Sequence, residues 1–179
     1  MPKTVSSDTP FDGSSDLPIE QFLTYQLLLL TNRLNRQAMH ILEEKAALRL
    51  PEWRCLAFIR ECCRDQSKIS LHQLADNTGM DRALISRSVQ GLVEKGHVLT
   101  KRNCKDRRVV FAAVTRQGEA LYQRTLPIMQ KRQLHLLEAL SPQDRKAIYR
   151  IMSRLSSAVG EWEEGRKNAA EKPDRHRLR

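Results

Sequence analysis

Apolar residues recur at three- and four-residue spacing along most of the chain, and the stretch around 98–114 breaks that rhythm. From Pro18 to about Leu48, one helical face is lined by Ile19, Leu23, Leu27, Leu30, Leu34, Ala38 and Ile41. Phe22, Leu28, Leu29 and Leu42 widen the apolar surface beyond one stripe, so a second covering surface is implied. Pro51 begins another helix, in which Trp53, Leu56, Ala57 and Ile59 alternate with Arg54, Arg60 and Glu61. Leu71, Leu74 and Ala75 form a short apolar face, Gly79 marks a tight turn, and Asp81 is placed to cap a further helix. That helix carries Leu84, Ile85, Val89, Leu92 and Val93 and ends at Gly96. Two β-prone runs, Val98–Leu99 and Val109–Val114, then flank a polar stretch and predict a hairpin. Thr115 can cap a long helix running through Tyr122, Leu126 and Leu137 to Leu140, with a bend expected at Pro127. Ser141-Pro142-Gln143-Asp144 is a helix start, and Ile148, Ile151, Met152, Leu155, Val159 and Trp162 follow it at helical spacing.

The two short helices joined at Gly79 read as a helix-turn-helix, with the hairpin as a wing beside it. The polar face of the second helix carries Arg82, Ser86, Arg87 and Gln90, side chains of the kind that read base edges in a major groove. A merely solvated face has the same pattern. The hairpin adds Lys101, Arg102, Lys105, Arg107 and Arg108, and residues 81–116 hold nine Lys or Arg against three acids, a local net of +6. A phosphate array rewards such clustering through counterion release, and a narrow minor groove attracts an inserted arginine.

On these residues the chain resembles the MarR family of bacterial winged-helix regulators. The stretch ISLHQLADNTGMDRALISRSVQGLVEKGHV is similar to the family's helix-turn-helix, and KDRRVVFAAVTRQG to its wing and the exit into the next helix. Asp106 and Arg108 fit the family's Asp-x-Arg wing signature, and Val114-Thr115 followed by Gly118 stands where the family usually has Leu-Thr and then Gly. Asn103-Cys104-Lys105 departs from the family in lacking the proline or extra acid common at the wing tip. The resemblance implies a mainly α fold with a small β-hairpin wing, a winged helix-turn-helix at about 50–115 between dimerisation helices at about 17–48 and 116–164. It implies that Arg108 reaches the minor groove with Asp106 orienting it, while Arg82, Ser86, Arg87 and Gln90 lie along the major groove. It also implies a homodimer on a pseudo-palindromic operator, usually repressing, and a small effector, often a phenolic or aromatic acid, in a cleft beside the dimerisation helices. Candidate wall residues for that cleft are Trp53 for stacking, Arg54 or Arg36 for a carboxylate, and Tyr25 or His40 for a hydrogen bond. Each has an ordinary structural reading as well, Trp53 as a core plug above all. Burial of the terminal apolar faces argues independently for a two-fold dimer, although they can also close over the chain's own core.

Composition narrows the alternatives. The chain has 179 residues, 40% hydrophobic, enough for one ordinary core. Of its net charge of +10, residues 1–20 carry −3 and residues 165–179 carry +4, which leaves +9 on 21–164. That balance favours a polyanionic partner, such as the double-stranded DNA that the resemblance implies, although a basic membrane-surface protein or plain solubility also explains it. Residues 1–16 and the basic stretch 165–179 are expected to be disordered tails around a single domain spanning 17–164. The polar opening MPKTVSSDTPFDGSSD lacks a signal's apolar stretch, and the Leu27–Leu30 run is too short for a membrane span, so cytosol is the expected compartment. Cys55, Cys62, Cys63 and Cys104 show no metal-ligand spacing. Cys104, crowded by wing cations that favour a thiolate, is the redox candidate for a thiol-responsive regulator of the same fold. Gly-rich phosphate loops, nucleophile elbows and metal-spaced histidines are missing, so neither catalysis nor a cofactor is expected. A basic winged helix that coats nucleic acid, or docks an acidic protein, is the reading from another class.

Overall fold

A computed structural model describes residues 18–63 and 68–170; the expected tail at 1–16, and 171–179 of the other, lie outside the described residues. The first apolar segment is not one helix. A 3₁₀ turn at Ile19–Gln21 gives way at extended Phe22 to helix α1, Leu23–Ala46. Ala47 ends α1 in the left-handed region at φ 50°, where its N–H reaches back to the Leu42 carbonyl. Helix α2, Leu50–Cys62, opens with Pro51 in its first turn, and Glu52 closes that turn by accepting from the Arg49 N–H at 2.8 Å.

Strand β1, Ile69–Ser70, leads directly into helix α3, Leu71–Thr78. Ser70 caps α3 by accepting from the Gln73 N–H, and Gln73 returns a bond to the Ser70 N–H. Gly79, at φ 64°, makes the turn into helix α4, Arg82–Glu94, which Asp81 caps through the Leu84 N–H at 2.8 Å as its spacing predicted. Strands β2, Val98–Arg102, and β3, Val110–Val114, form the expected hairpin. Strand β1 adds itself to the far edge of β3, giving the antiparallel order β1-β3-β2 with Ile69 opposite Ala112 and Val98 opposite Val114. Two residues are too few to show a period, so β1 has no signature in the sequence.

The core lies where α2, α3 and α4 meet the sheet. Leu56, Ile59, Leu74, Ile85, Leu92 and Val98 are fully buried there. Helix α5, Arg116–Glu138, starts against this core with Leu121, Tyr122 and Thr125 buried. Thr115 ties the start down: its hydroxyl donates to the Gly96 carbonyl at 2.7 Å and accepts from the Gly118 N–H at 3.0 Å. Gly118 is required by space, because a Cβ on it would lie 2.0 Å from the His97 carbonyl oxygen.

The chain divides into two units between Leu126 and Pro127, the proline expected to bend this helix. In the second unit, Ser141 caps helix α6, Pro142–Ala170, through the Asp144 N–H at 3.1 Å. The last turns of α6 run past the expected boundary at 164, so the basic stretch begins as helix. Much of the apolar surface of α1, and Ile148, Ile151, Met152, Val159 and Trp162 of α6, stays exposed within the single chain.

Candidate nucleic-acid interface

Helix α4 is amphipathic in a way that leaves its chemistry outward. Ile85, Val89 and Leu92 are buried, and Ser88 on the same side satisfies its hydroxyl by donating to the Leu84 carbonyl at 2.7 Å. Arg82, Ser86, Arg87 and Gln90 are all exposed, and Gln90 donates to Glu94 at 3.1 Å. Four side chains able to donate or accept to base edges therefore share an open helix face, and the buried face fixes the helix behind them.

The wing places its cations at one end of the hairpin. Lys101 pairs in register with Phe111 and Arg102 with Val110, and the tip is closed by the Asn103 N–H donating to the Val109 carbonyl at 2.8 Å. Inside the tip, the Asn103 side chain accepts from the Lys105 N–H at 3.0 Å and the Asp106 carboxylate from the Arg108 N–H at 2.9 Å. Both are side-chain-to-backbone turns of the kind Asn and Asp favour. Asp106 thus acts on Arg108 through the main chain, shaping the tip, which differs from a direct grip on the guanidinium. Lys101, Arg102, Lys105, Arg107 and Arg108 are exposed.

A groove of about 440 Å³ runs between the start of α2 and α4, with Arg49, Glu52, Arg87, Gln90 and Lys95 among its lining residues. Sequence reasoning missed Arg49 and Lys95 as neighbours of the reading face. Lys95 lay within the basic count for 81–116, but nothing in the sequence brings Arg49 to α4.

The other candidates are dispersed. Trp53 is not an open ring face: it is buried and stacked on Tyr122, with centroids 5.6 Å apart and planes 14° from parallel. The Arg60 guanidinium lies 4.9 Å over the Tyr122 ring and pairs with Glu119 at 3.2 Å, while the Tyr122 hydroxyl reaches Glu61 at 2.8 Å. These residues join α2 to the start of α5. Arg54 donates to Asn35 of α1 at 2.9 Å, Tyr25 is half-buried, and Arg36 and His40 are exposed on α1. All four cysteines are free. Burial pushes the Cys55 thiol up to about 12 and raises Cys63 as well, so both are held as thiols, whereas Cys104 is exposed at the wing tip.

No family sequence model and no curated protein sequence matches the chain. Solved structures do. A MarR/EmrR family transcriptional regulator from an Acinetobacter species superposes with a TM-score of 0.71 at 23% identity, over 81% of this chain and 99% of the other. The chain has the MarR winged-helix fold. MepR of S. aureus, solved as a DNA complex, shares this MarR fold with a TM-score of 0.70 at 14% identity, over 77% of this chain and 98% of that one. BpsR of Bordetella bronchiseptica, whose structure concerns regulation of DNA binding by 6-hydroxynicotinic acid, gives 0.60 at 22% identity, over 73% and 98%. In the terms of the MarR fold, α3 and α4 are the helix-turn-helix, β2 and β3 the wing, and α1, α5 and α6 the flanking helices. Among the described residues, no helix is long and apolar enough to cross a membrane, and no group of three or more potential metal ligands occurs.

Proposed function

We propose that the chain is a sequence-specific DNA-binding transcriptional regulator that works as a homodimer, represses from a pseudo-palindromic operator, and is released by a small aromatic or phenolic acid. The observation that carries this reading is the exposed face of Arg82, Ser86, Arg87 and Gln90 on a helix whose opposite face is buried, beside a hairpin with an exposed cationic tip. Helix α4 enters the major groove, and Lys101, Lys105, Arg107 and Arg108 meet phosphate and the minor groove, with Asp106 shaping the tip. A DNA complex among the neighbours of the same fold supports the partner, and a neighbour regulated by an aromatic acid supports the effector class. Two copies cover the exposed apolar faces of α1 and α6 and set two reading heads about one helical turn, roughly 34–36 Å, apart. Arg36 or Arg54 pairs with the effector's carboxylate and Tyr25 or His40 supplies a hydrogen bond; the protein acts in the cytoplasm and is no enzyme. A ligand that prefers a different spacing of the heads then shifts the population off DNA.

The test is a salt-controlled anisotropy titration on the intergenic duplex beside the chain's own gene and on a scrambled duplex. The expected preference is on the order of 10³-fold or more. Arg87→Ala should relax base selectivity, while Arg107→Ala should weaken all sequences alike and reduce the salt slope by about one. Equal binding to both duplexes overturns the regulator and favours a coating protein. Release by peroxide without any effector, abolished by Cys104→Ser, would replace the ligand by a thiol response.

A further inference from the structure

We propose that Glu52 is a positioning residue for DNA reading: its carboxylate, set against Gly91 and bonded to Lys95, fixes how α4 lies on α2. The proposal rests on the assignment of α4 as the base-reading helix. Glu52 stands in the first turn of α2, yet its side chain is 6% exposed, unusual for a carboxylate and in need of partners. It has them on both sides. Oε2 accepts from the N–H of Arg49, the residue that precedes its own helix, at 2.8 Å, and from Lys95 Nζ at 2.8 Å, just beyond the end of α4. Lys95 Nζ also donates to the carbonyl of Ala47 at 3.3 Å, so one ammonium joins the left-handed corner after α1, the start of α2 and the end of α4.

Gly91 supplies the room. Glycine inside a helix destabilises it relative to alanine, so its presence in the middle of α4 calls for a local reason. A Cβ on Gly91 would lie 2.7 Å from Glu52 Oε1, closer than ordinary packing permits. The carboxylate thus lies directly against the backbone of α4 and is held there by a charge-assisted bond to Lys95. Glu52 and Gly91 line the same groove as Ser86, Arg87 and Gln90. Any lift or tilt of α4 about Gly91 is carried to those side chains, within two turns of it, and readout geometry tolerates only about 0.5 Å of displacement.

The experiment measures the ratio of affinities for operator and scrambled duplex on the full-length protein, with the active fraction titrated for each variant. Glu52→Gln keeps the shape and an acceptor for Arg49 but discards the charge pair; Gly91→Ala forces the carboxylate or the helix to move. Each should lower the selectivity ratio about tenfold, roughly 1.4 kcal/mol, with the salt slope on scrambled DNA unchanged. Gly91→Ala should cost less in a Glu52→Asp background, where the shorter side chain leaves space, a non-additivity expected of directly coupled neighbours. A merely structural Glu52 would lower the melting temperature and the active fraction while leaving the ratio intact, and that result overturns the proposal. Should Gly91→Ala fail to fold, the isosteric Glu52→Gln decides. A wild-type ratio near one would instead overturn the DNA-reading function itself, before any variant is measured.

Discussion

Helices α1 and α4 are both amphipathic, but they solve the problem of an apolar face differently. In α4 the apolar side is consumed within the chain: Ile85 and Leu92 have no exposed surface at all. In α1, Leu27 is 44% and Leu30 51% exposed, along with Phe22, Leu23 and Leu28. Exposed apolar patches of that kind are typical of interaction surfaces. Helix α4 therefore has its position settled within the chain and leaves a polar side outward. The difference separates two states of an apolar face: one is covered within the chain, and the other, in the proposed dimer, is covered by a second copy.

The largest effect should come from attacking the incomplete side. Leu27→Glu combined with Leu30→Glu leaves the core of α2, α3 and α4 intact but should convert the proposed dimer to monomer in sedimentation. Loss of the second reading head should then weaken operator binding by roughly 10²-fold or more. An unchanged dimer would show that α1 is not part of the interface. A smaller effect distinguishes two glycines. Gly118→Ala pushes a Cβ into the His97 carbonyl and should destabilise the fold by about 1–3 kcal/mol. Gly160 in α6 meets nothing within 4 Å in the single chain, so Gly160→Ala should be neutral or stabilising by up to about 1 kcal/mol in chemical denaturation. Destabilisation at Gly160 would mean that the partner copy packs against it. The smallest effect concerns pH on the completed side. Burial, with Lys95 and Arg124 nearby, holds the His97 imidazole below its usual pKa, and its buried Nδ1 has no hydrogen-bond partner among the described residues. A base with a depressed folded pKa contributes stability above its unfolded pKa, about 6.5, and loses it as pH falls through and below that value. Thermal melts at pH 7.5 and 5.5 should therefore show a drop that His97→Gln reduces; an equal drop in the variant would assign it to other groups.

How much of this was legible in the sequence follows the same division. Where a face is buried by local neighbours, periodicity found it: the apolar set of α4, the Asp81 and Thr115 caps and the hairpin are where the spacing put them. Long-range polar contacts left no such trace. Nothing in the sequence sets Glu52 apart from the other charged residues of α2, and only the fold brings it to Gly91 and Lys95, some forty residues away. The stacking of Trp53 on Tyr122 was equally hidden, because an aromatic in an apolar run looks the same whether it faces a ligand or another ring. The break of α1 at Phe22 escaped for a third reason: a hydrophobic stripe continues across it, although the backbone there is extended.

The wing tip carries a consequence for how such a reader can change over generations. Its shape rests on the side chains of Asn103 and Asp106 and on two backbone bonds, from the Asn103 N–H to the Val109 carbonyl and from the Val109 N–H to the Asp106 carbonyl. Cys104, Lys105, Arg107 and Arg108 contribute no side chain to those bonds, and all four are exposed. Substitutions at these four positions leave the bonds that close the loop in place, so, on the proposed function, a lineage can retune the strength of its grip on duplex DNA by small steps. Such changes then act on binding alone, and the protein stays folded through them.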